Sequence, residues 1–148
     1  KYGLYYNVEL VSLMTFGKLR KNLGHKDTEG VYEMIRFCNK LNTTVVGGAS
    51  KLLKHFINKV QPKKIISYAD RRWSDGGLYE TLGFTLVRVS KPSYFYVIRN
   101  ERHNRYEFRK DVLVREGFDP AKSEREIMEE RGIPRVYDCG CYVYELLF

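Results

Sequence analysis

Cysteine, histidine, proline and tryptophan are scarce in this chain of 148 residues, at 3, 3, 4 and 1. Three cysteines, Cys38, Cys139 and Cys141, cannot build a disulfide framework, and a domain of this length buries a core without one. No secretory signal pattern precedes them, so a reducing cytosol is the expected compartment. Cys139-Gly140-Cys141 lacks a second ligand pair at zinc spacing, and no metal is expected. No apolar run approaches the roughly 20 residues of a membrane-spanning helix, which leaves no membrane partner to expect. Neither GxxxxGK[S/T] nor a full GxGxxG occurs. His25, His55 and His103 form no constellation with a serine or cysteine nucleophile. The carboxylates of "ADRRWSD", Asp70 and Asp75, sit among arginines, so metal-dependent nuclease activity is not supported.

What the chain does contain is 43% hydrophobic and 30% charged residues, a globular balance. Its 26 Lys and Arg against 18 Asp and Glu give a net charge of +8 and a pI near 9.4. That excess favours a polyanionic partner, nucleic acid first and DNA foremost. The opening "KYGLYYNVELVSLMTFGK" is already in strand-like alternation and lacks a starting methionine, as expected of a fragment, a processed product or a chain with an earlier part.

The first eighteen residues read as a hairpin turning at Asn7-Val8, followed by a charged loop over Lys18–Gly30. "VYEMIRFCN" alternates as a strand, placing Val31, Glu33, Ile35 and Phe37 on one face. From Ala49 the period becomes helical, with Leu52, Leu53, Phe56, Ile57 and Val60 on one side and Lys51, Lys54 and Lys59 on the remainder, until Pro62. "KKIISYAD" is a buried strand, "RRWSDGG" a loop, and "LYETLG" a short helix that Gly83 terminates. "FTLVRVS" and "SYFYVI" are expected to pair antiparallel across Lys91-Pro92. Asp119-Pro120 reads as a helix start, Ser123 with Glu126 as a capping box, and "RVYDCGCYVYELLF" as a last strand or hairpin. A soft boundary near Arg99 divides a core, 1–98, from a small basic helix and strand extension, 99–148.

The sharpest local signal is "VVGGASKLLKHF". Strand, glycine pair and helix is the order in which unpartnered helix-start N–H groups face an anion, although glycine also serves such turns for steric reasons alone. Downstream, "LYETLGF", Leu78 to Phe84, resembles the matching segment of GNAT acyltransferases. Val46, Gly47, Gly48, Ala49 and Ser50 sit where that family places its acyl-CoA pyrophosphate loop. The resemblance covers Tyr2 to Ile98 and implies an α/β (α+β) fold. Its mixed central sheet would splay between "VYEMIRFCN" and "IISYAD", with acetyl-CoA or another acyl-CoA wedged in the gap. It departs from the family in carrying Thr43-Thr44-Val45-Val46, with no basic residue, ahead of the glycines. Across nearly the whole chain, "GLYYNVELVSLMTFGK", "RFCNKLNTTVVGGASKLLKHF", "IISYADRRWSDGGLYETLGF" and "FDPAKSEREIMEERGIPRVYDCG" resemble the C-terminal region of phage-encoded homing-endonuclease-type proteins. In those a small Vsr-like nuclease module comes first. That resemblance implies a mobile-element setting in the cytoplasm of an infected bacterium and a nuclease module N-terminal to this chain; the nuclease motif itself is absent from these residues.

The GNAT resemblance assigns site residues by role. Backbone N–H groups from Gly47 to Ser50 would hold pyrophosphate, with Lys51 and Lys54 adding charge. Tyr79 would protonate the leaving thiolate, and Glu33 or Asp70 would serve as base, neither singled out by spacing. Plain structural uses stand beside these: packing for Tyr79, pairing with Arg36 or Lys18 for Glu33, and with Arg71 or Arg72 for Asp70. The expected function is a DNA-associated protein that engages nucleic acid and transfers an acyl group. The alternative is a non-catalytic DNA-targeting domain. For nucleic acid, Arg71, Arg72 and Trp73 offer phosphate contacts and a stacking ring at the carboxyl end of a strand, and Arg99, Arg102 and Arg105, with His103, Arg109, Tyr94 and Tyr96 near them, offer a track for a backbone.

Overall fold

Asn7 and Val8 both take left-handed backbone, φ 47° and 70°, which is the two-residue turn whose twist suits a hairpin. It joins β1 (Tyr2–Tyr6) to β2 (Glu9–Gly17), as the alternation predicted, and β2 pairs onward with β3 (Val31–Asn39), also antiparallel. The computed structural model describes residues 1–20 and 28–148; His25 and most of the expected Lys18–Gly30 loop lie outside the described residues. Two units emerge, Lys1–Ser90 with Cys141–Phe148, and Lys91–Gly140.

The larger unit is a six-stranded sheet in the order β1-β2-β3-β4-β9-β5, with β4 at Lys64–Asp70, β5 at Thr85–Val89 and β9 at Cys141–Leu147. Helices α1 (Gly48–Val60) and α2 (Gly77–Thr81) pack with Met14, Met34, Ile65, Ala69 and Tyr144 into the main core on one face. On the other face Leu19, Ile66 and Val143 form a smaller cluster with Val31 and Tyr68. α1 ends where Gln61 turns left-handed at φ 49°, one residue before Pro62.

β3 does not keep the strict alternation read from its sequence. Thr15 pairs with Arg36 and Phe16 with Met34, so Ile35 is an extra residue, a β-bulge. Beyond it the faces exchange: Phe37 joins Tyr32 and Met34 at the main core, and Ile35 is 53% exposed. A bulge bends its strand and tightens its twist. The parallel pairing of β3 with β4 accordingly covers only Val31↔Lys64, Tyr32↔Ile65 and Glu33↔Ile66, and the two strands then diverge.

The expected pairing of "FTLVRVS" with "SYFYVI" does not occur. β5 pairs with β9, whereas β6 (Tyr94–Ile98) lies between β7 (Glu101–Asn104) and β8 (Arg135–Tyr137) in a separate three-stranded sheet. β8 and β9 therefore enter different sheets and are not a terminal hairpin. Nor does the division fall at Arg99. The chain leaves the larger unit after Ser90 and rejoins it at Cys141, where the Ser90 N–H donates to the Cys141 carbonyl and the Cys141 N–H to Ser90 Oγ, both at 2.8 Å. The smaller unit is thus the loop of a β5–β9 hairpin. It has its own core of Tyr96, Leu113, Ile127 and Met128, and two short helices, α3 (Lys110–Arg115) and α4 (Glu124–Glu130). The Ser123–Glu126 capping box is present at the start of α4, while Asp119 caps a turn at Ala121 and not the helix itself. Residues 99–148 hold ten Lys and Arg against eleven Asp and Glu, so the expected basic extension is not basic. The excess belongs to the larger unit, with fifteen against eight.

Candidate active site

The opening between β3 and β4 is the centre of the candidate site. α1 begins with Gly47 as its N-cap, φ 69° and no side-chain cap, where a Cβ would meet nothing within 4 Å; the next residue, Gly48, lies against Leu4 of β1. Among the described residues the amides of Gly47, Ala49 and Ser50 have no hydrogen-bond partner, whereas the Gly48 amide is spent on the Val45 carbonyl at 3.0 Å. The expected cradle is therefore one donor short. Gly48 is buried, and a Cβ would stand 2.9 Å from Val45 Cγ1, so glycine is fixed there by packing. Val46 is 93% exposed, and Lys51 and Lys54 are exposed on the first turns of α1.

Tyr79 is carried to the opening by a loop that its own side chains organise. Asp70 at the end of β4 accepts from the Arg72 backbone N–H at 3.0 Å and from Arg72 Nε at 3.0 Å, and its carbonyl accepts from the Trp73 and Ser74 amides. Ser74 Oγ and Asp75 Oδ1 then receive the Gly76 and Gly77 amides and start α2. Tyr79 stacks on Tyr144 with ring centroids 4.9 Å apart and meets Phe84 edge-on at 5.7 Å. Its hydroxyl lies 3.1 Å from Ser67 Oγ, and Ser67 Oγ is 2.7 Å from the Met34 carbonyl, immediately past the last paired rung. Burial, aided by the Glu80 carboxylate, pushes the Tyr144 phenol above its ordinary range.

The two candidate bases have different surroundings. Glu33 is 1% exposed, on the sheet face away from α1 and α2, and Arg20 grips both its oxygens at 2.7 and 3.0 Å. Burial, then the nearby Glu33 carboxylate, raises the Tyr68 phenol on that same face, and Arg20 lies 5.3 Å over the Tyr68 ring. Asp70 is bound by the Arg72 fork, the plain pairing that its neighbour allows. Of the nucleic-acid candidates in this unit, Arg71 lies over the Tyr142 ring at 5.3 Å and Trp73 stands 84% exposed on the loop.

The remaining candidates belong to the smaller unit. Arg99 forms a left-handed hairpin turn with Asn100, φ 50° and 64°, between β6 and β7. Arg102 stacks over Phe95 at 4.6 Å, Arg105 over Tyr94 at 4.7 Å, and Arg109 over Tyr106 at 4.5 Å. His103 bonds Glu107 at 3.1 Å. The Arg102, Arg105 and Arg109 side chains each brace an aromatic ring. Sequence reasoning missed Ser67, Tyr144, Arg20 and Gly76. Ser67 alone left a signal, as the one small polar residue between the apolar Ile65-Ile66 and Ala69 of β4. No group of three or more metal-binding side chains occurs among the described residues.

No protein-family model and no curated protein matches the sequence. Solved structures do match in fold. An N-acetyltransferase from Staphylococcus aureus Mu50 aligns over 98% of this chain at 12% identity and a TM-score of 0.51, and this chain spans 65% of that protein's length. A Bacillus subtilis acetyltransferase solved in complex with CoA aligns over 97% of this chain and 73% of its own at 13% identity, with a TM-score of 0.50. At such identities the likeness is one of architecture, and the architecture is the GNAT fold: a mixed sheet splayed between two parallel strands and flanked by helices.

Proposed function

We propose that the larger unit takes an acyl-CoA into the opening between β3 and β4 and passes the acyl group to an amine. The observation that carries this reading is the three-rung limit of β3–β4 pairing, with the Tyr79 hydroxyl at the end of the last rung. Partnerless helix-start amides, a left-handed N-cap glycine with open space around it and two exposed lysines suit a pyrophosphate. Acyl-CoA would supply an activated thioester. The chain's part is to hold the diphosphate on Gly47, Ala49 and Ser50, and to place the Tyr79 phenol where its proton can pass to a departing thiolate. Glu33 and Tyr68 lie at the last paired rung and just beyond it, on the opposite face of the sheet, the side where an acceptor would enter. CoA titrated into the protein by calorimetry tests this. Binding is expected, and Gly48→Val, whose side chain collides with Val45, is expected to abolish it; no binding, or affinity indifferent to that substitution, overturns the reading.

A second reading is nucleic-acid engagement, for which the exposed Trp73 beside Arg71 and Arg72 speaks, together with the concentration of positive charge in this unit. It fits a mobile-element protein whose nuclease module precedes this chain and which this domain targets to DNA. Steep salt dependence of binding to a DNA duplex, weakened by Trp73→Ala and Arg71→Ala, is the expected result. A flat salt response counts against it.

A further inference from the structure

Ser67 is 1% exposed and stands in β4 between Ile66, the last residue paired with β3, and Tyr68. The next hydrogen bond across the two strands is made by its side chain, from Ser67 Oγ to the Met34 carbonyl at 2.7 Å. A serine hydroxyl has one proton, and this short contact with a carbonyl, which can only accept, commits it. With that proton spent, the 3.1 Å contact between the two hydroxyl oxygens is a hydrogen bond only with the Tyr79 hydroxyl donating to Ser67 Oγ. Its other neighbour, the Tyr68 carbonyl, is more distant at 3.5 Å. The result is a directed chain from phenol to hydroxyl to backbone carbonyl, closing the end of the paired ladder where the opening begins. Such chains polarise their members, and a phenol that donates into one turns its lone pairs toward the open side.

We infer that Ser67 is a positioning residue for Tyr79. It fixes the ring oxygen at the opening and keeps the phenol proton on a weak, neutral acceptor until a stronger one arrives. This rests on the acyl-transfer reading for what that acceptor is. When the amine nitrogen bonds the thioester carbon and the carbon–sulfur bond breaks, the electron pair stays on sulfur. The phenol proton then moves from the Ser67 bond to that thiolate, and the proton shed by the new amide nitrogen reaches the phenolate through water.

The test has two arms. In the first, the protein without any coenzyme is labelled with ζ-13C tyrosine and the Tyr79 resonance is assigned by its loss in Tyr79→Phe. Ser67→Ala is expected to shift that resonance, and Ser67→Thr, which keeps the hydroxyl, to restore it. An unmoved resonance overturns the proposal. Should Ser67→Ala fail to fold, Ser67→Cys, a weak donor of similar size, makes the same comparison. The second arm follows release of free thiol from acetyl-CoA with water as acyl acceptor. Ser67→Ala is expected to lower kcat about tenfold at unchanged KM, with Ser67→Thr close to wild type. In the Tyr79→Phe background, Ser67→Ala is expected to change kcat by less than about twofold, because its effect runs through the phenol. A full further loss there marks a merely structural serine and overturns the proposal. If the wild type neither binds nor cleaves acetyl-CoA, the acyl-transfer reading fails by itself, and the spectrum alone decides whether Ser67 holds the phenol.

Discussion

Gly76→Ala separates two ways in which a glycine can be required. Gly76 has φ +92°, and a Cβ built on it would lie 1.9 Å from Tyr144 Oη, 2.7 Å from Cζ and 2.9 Å from Cε2. The left-handed backbone alone costs an L residue about 1–2 kcal/mol. The collision adds to it, because Tyr144 is 1% exposed and cannot swing into solvent. Overpacking of a filled core costs roughly 1–3 kcal/mol, and displacing the stacked Tyr79–Tyr144 pair forfeits about 0.5–1.5 kcal/mol more. A loss of about 3–6 kcal/mol is therefore expected, read by urea denaturation of the larger unit. Gly83→Ala is the control. Its φ is +84° but nothing lies within 4 Å, so only the backbone strain of about 1–2 kcal/mol is expected. Equal losses at the two positions refute the packing argument and leave strain as the whole effect.

Val8 is a β-branched residue held at φ 70° and 97% exposed, so Val8→Gly is expected to stabilise the hairpin by about 1 kcal/mol in urea melts; a destabilised protein contradicts the turn geometry. In the smaller unit Glu107, Asp111, Glu126 and Glu129 all titrate below the ordinary carboxylate range, held by bonds first to His103, Arg109, Ser123 and Arg125 respectively. A depressed carboxylate stabilises the fold above its unfolded pKa and loses that contribution as pH falls through the folded value. Stability of this unit, followed by amide exchange, should accordingly fall on acidification below about pH 4.5, less steeply in Glu126→Gln, and constant stability down to about pH 3 rejects the assignment. Replacing Lys91–Gly140 by Asn-Gly should leave the larger unit cooperatively folded, because Ser90 and Cys141 already bond each other across the excision; loss of the melting transition refutes the insertion view.

Elements whose signals are local were readable from residues alone. The Asn7-Val8 hairpin, the amphipathic α1 with Pro62 beyond it, the Ser123–Glu126 box and the Gly83 stop each lie within one short window, where period and turn chemistry act directly. Pairing between strands is not local. "FTLVRVS" and "SYFYVI" have the spacing of a hairpin, yet β5 finds β9 across fifty residues, because nothing in a strand's own sequence says which of several apolar edges it will meet. The charge run after Arg99 misled for a related reason. Its arginines sit over Phe95, Tyr94 and Tyr106, where the guanidinium plane covers apolar ring surface, and acidic residues further along cancel their charge.

The site was legible to the same depth. Glycine pair and tyrosine helix were visible as motifs, but what opens the sheet between them is a single extra residue in β3. "VYEMIRFCN" carried a trace of it, since Glu33 and Arg36 cannot both be outward on a strictly alternating strand that buries one face. With the bulge at Ile35 the conflict disappears: Glu33 turns to the far face and is gripped by Arg20, while Arg36 stays exposed. The same bend ends the ladder at Ile66 and leaves the Met34 carbonyl to be met by a side chain. A serine one position later in β4 is the smallest residue that can make that bond, and in making it presents an oxygen to the Tyr79 phenol. The bulge and the serine are therefore one device, and an insertion or deletion at Ile35 should disturb Tyr79 as surely as a substitution of Ser67.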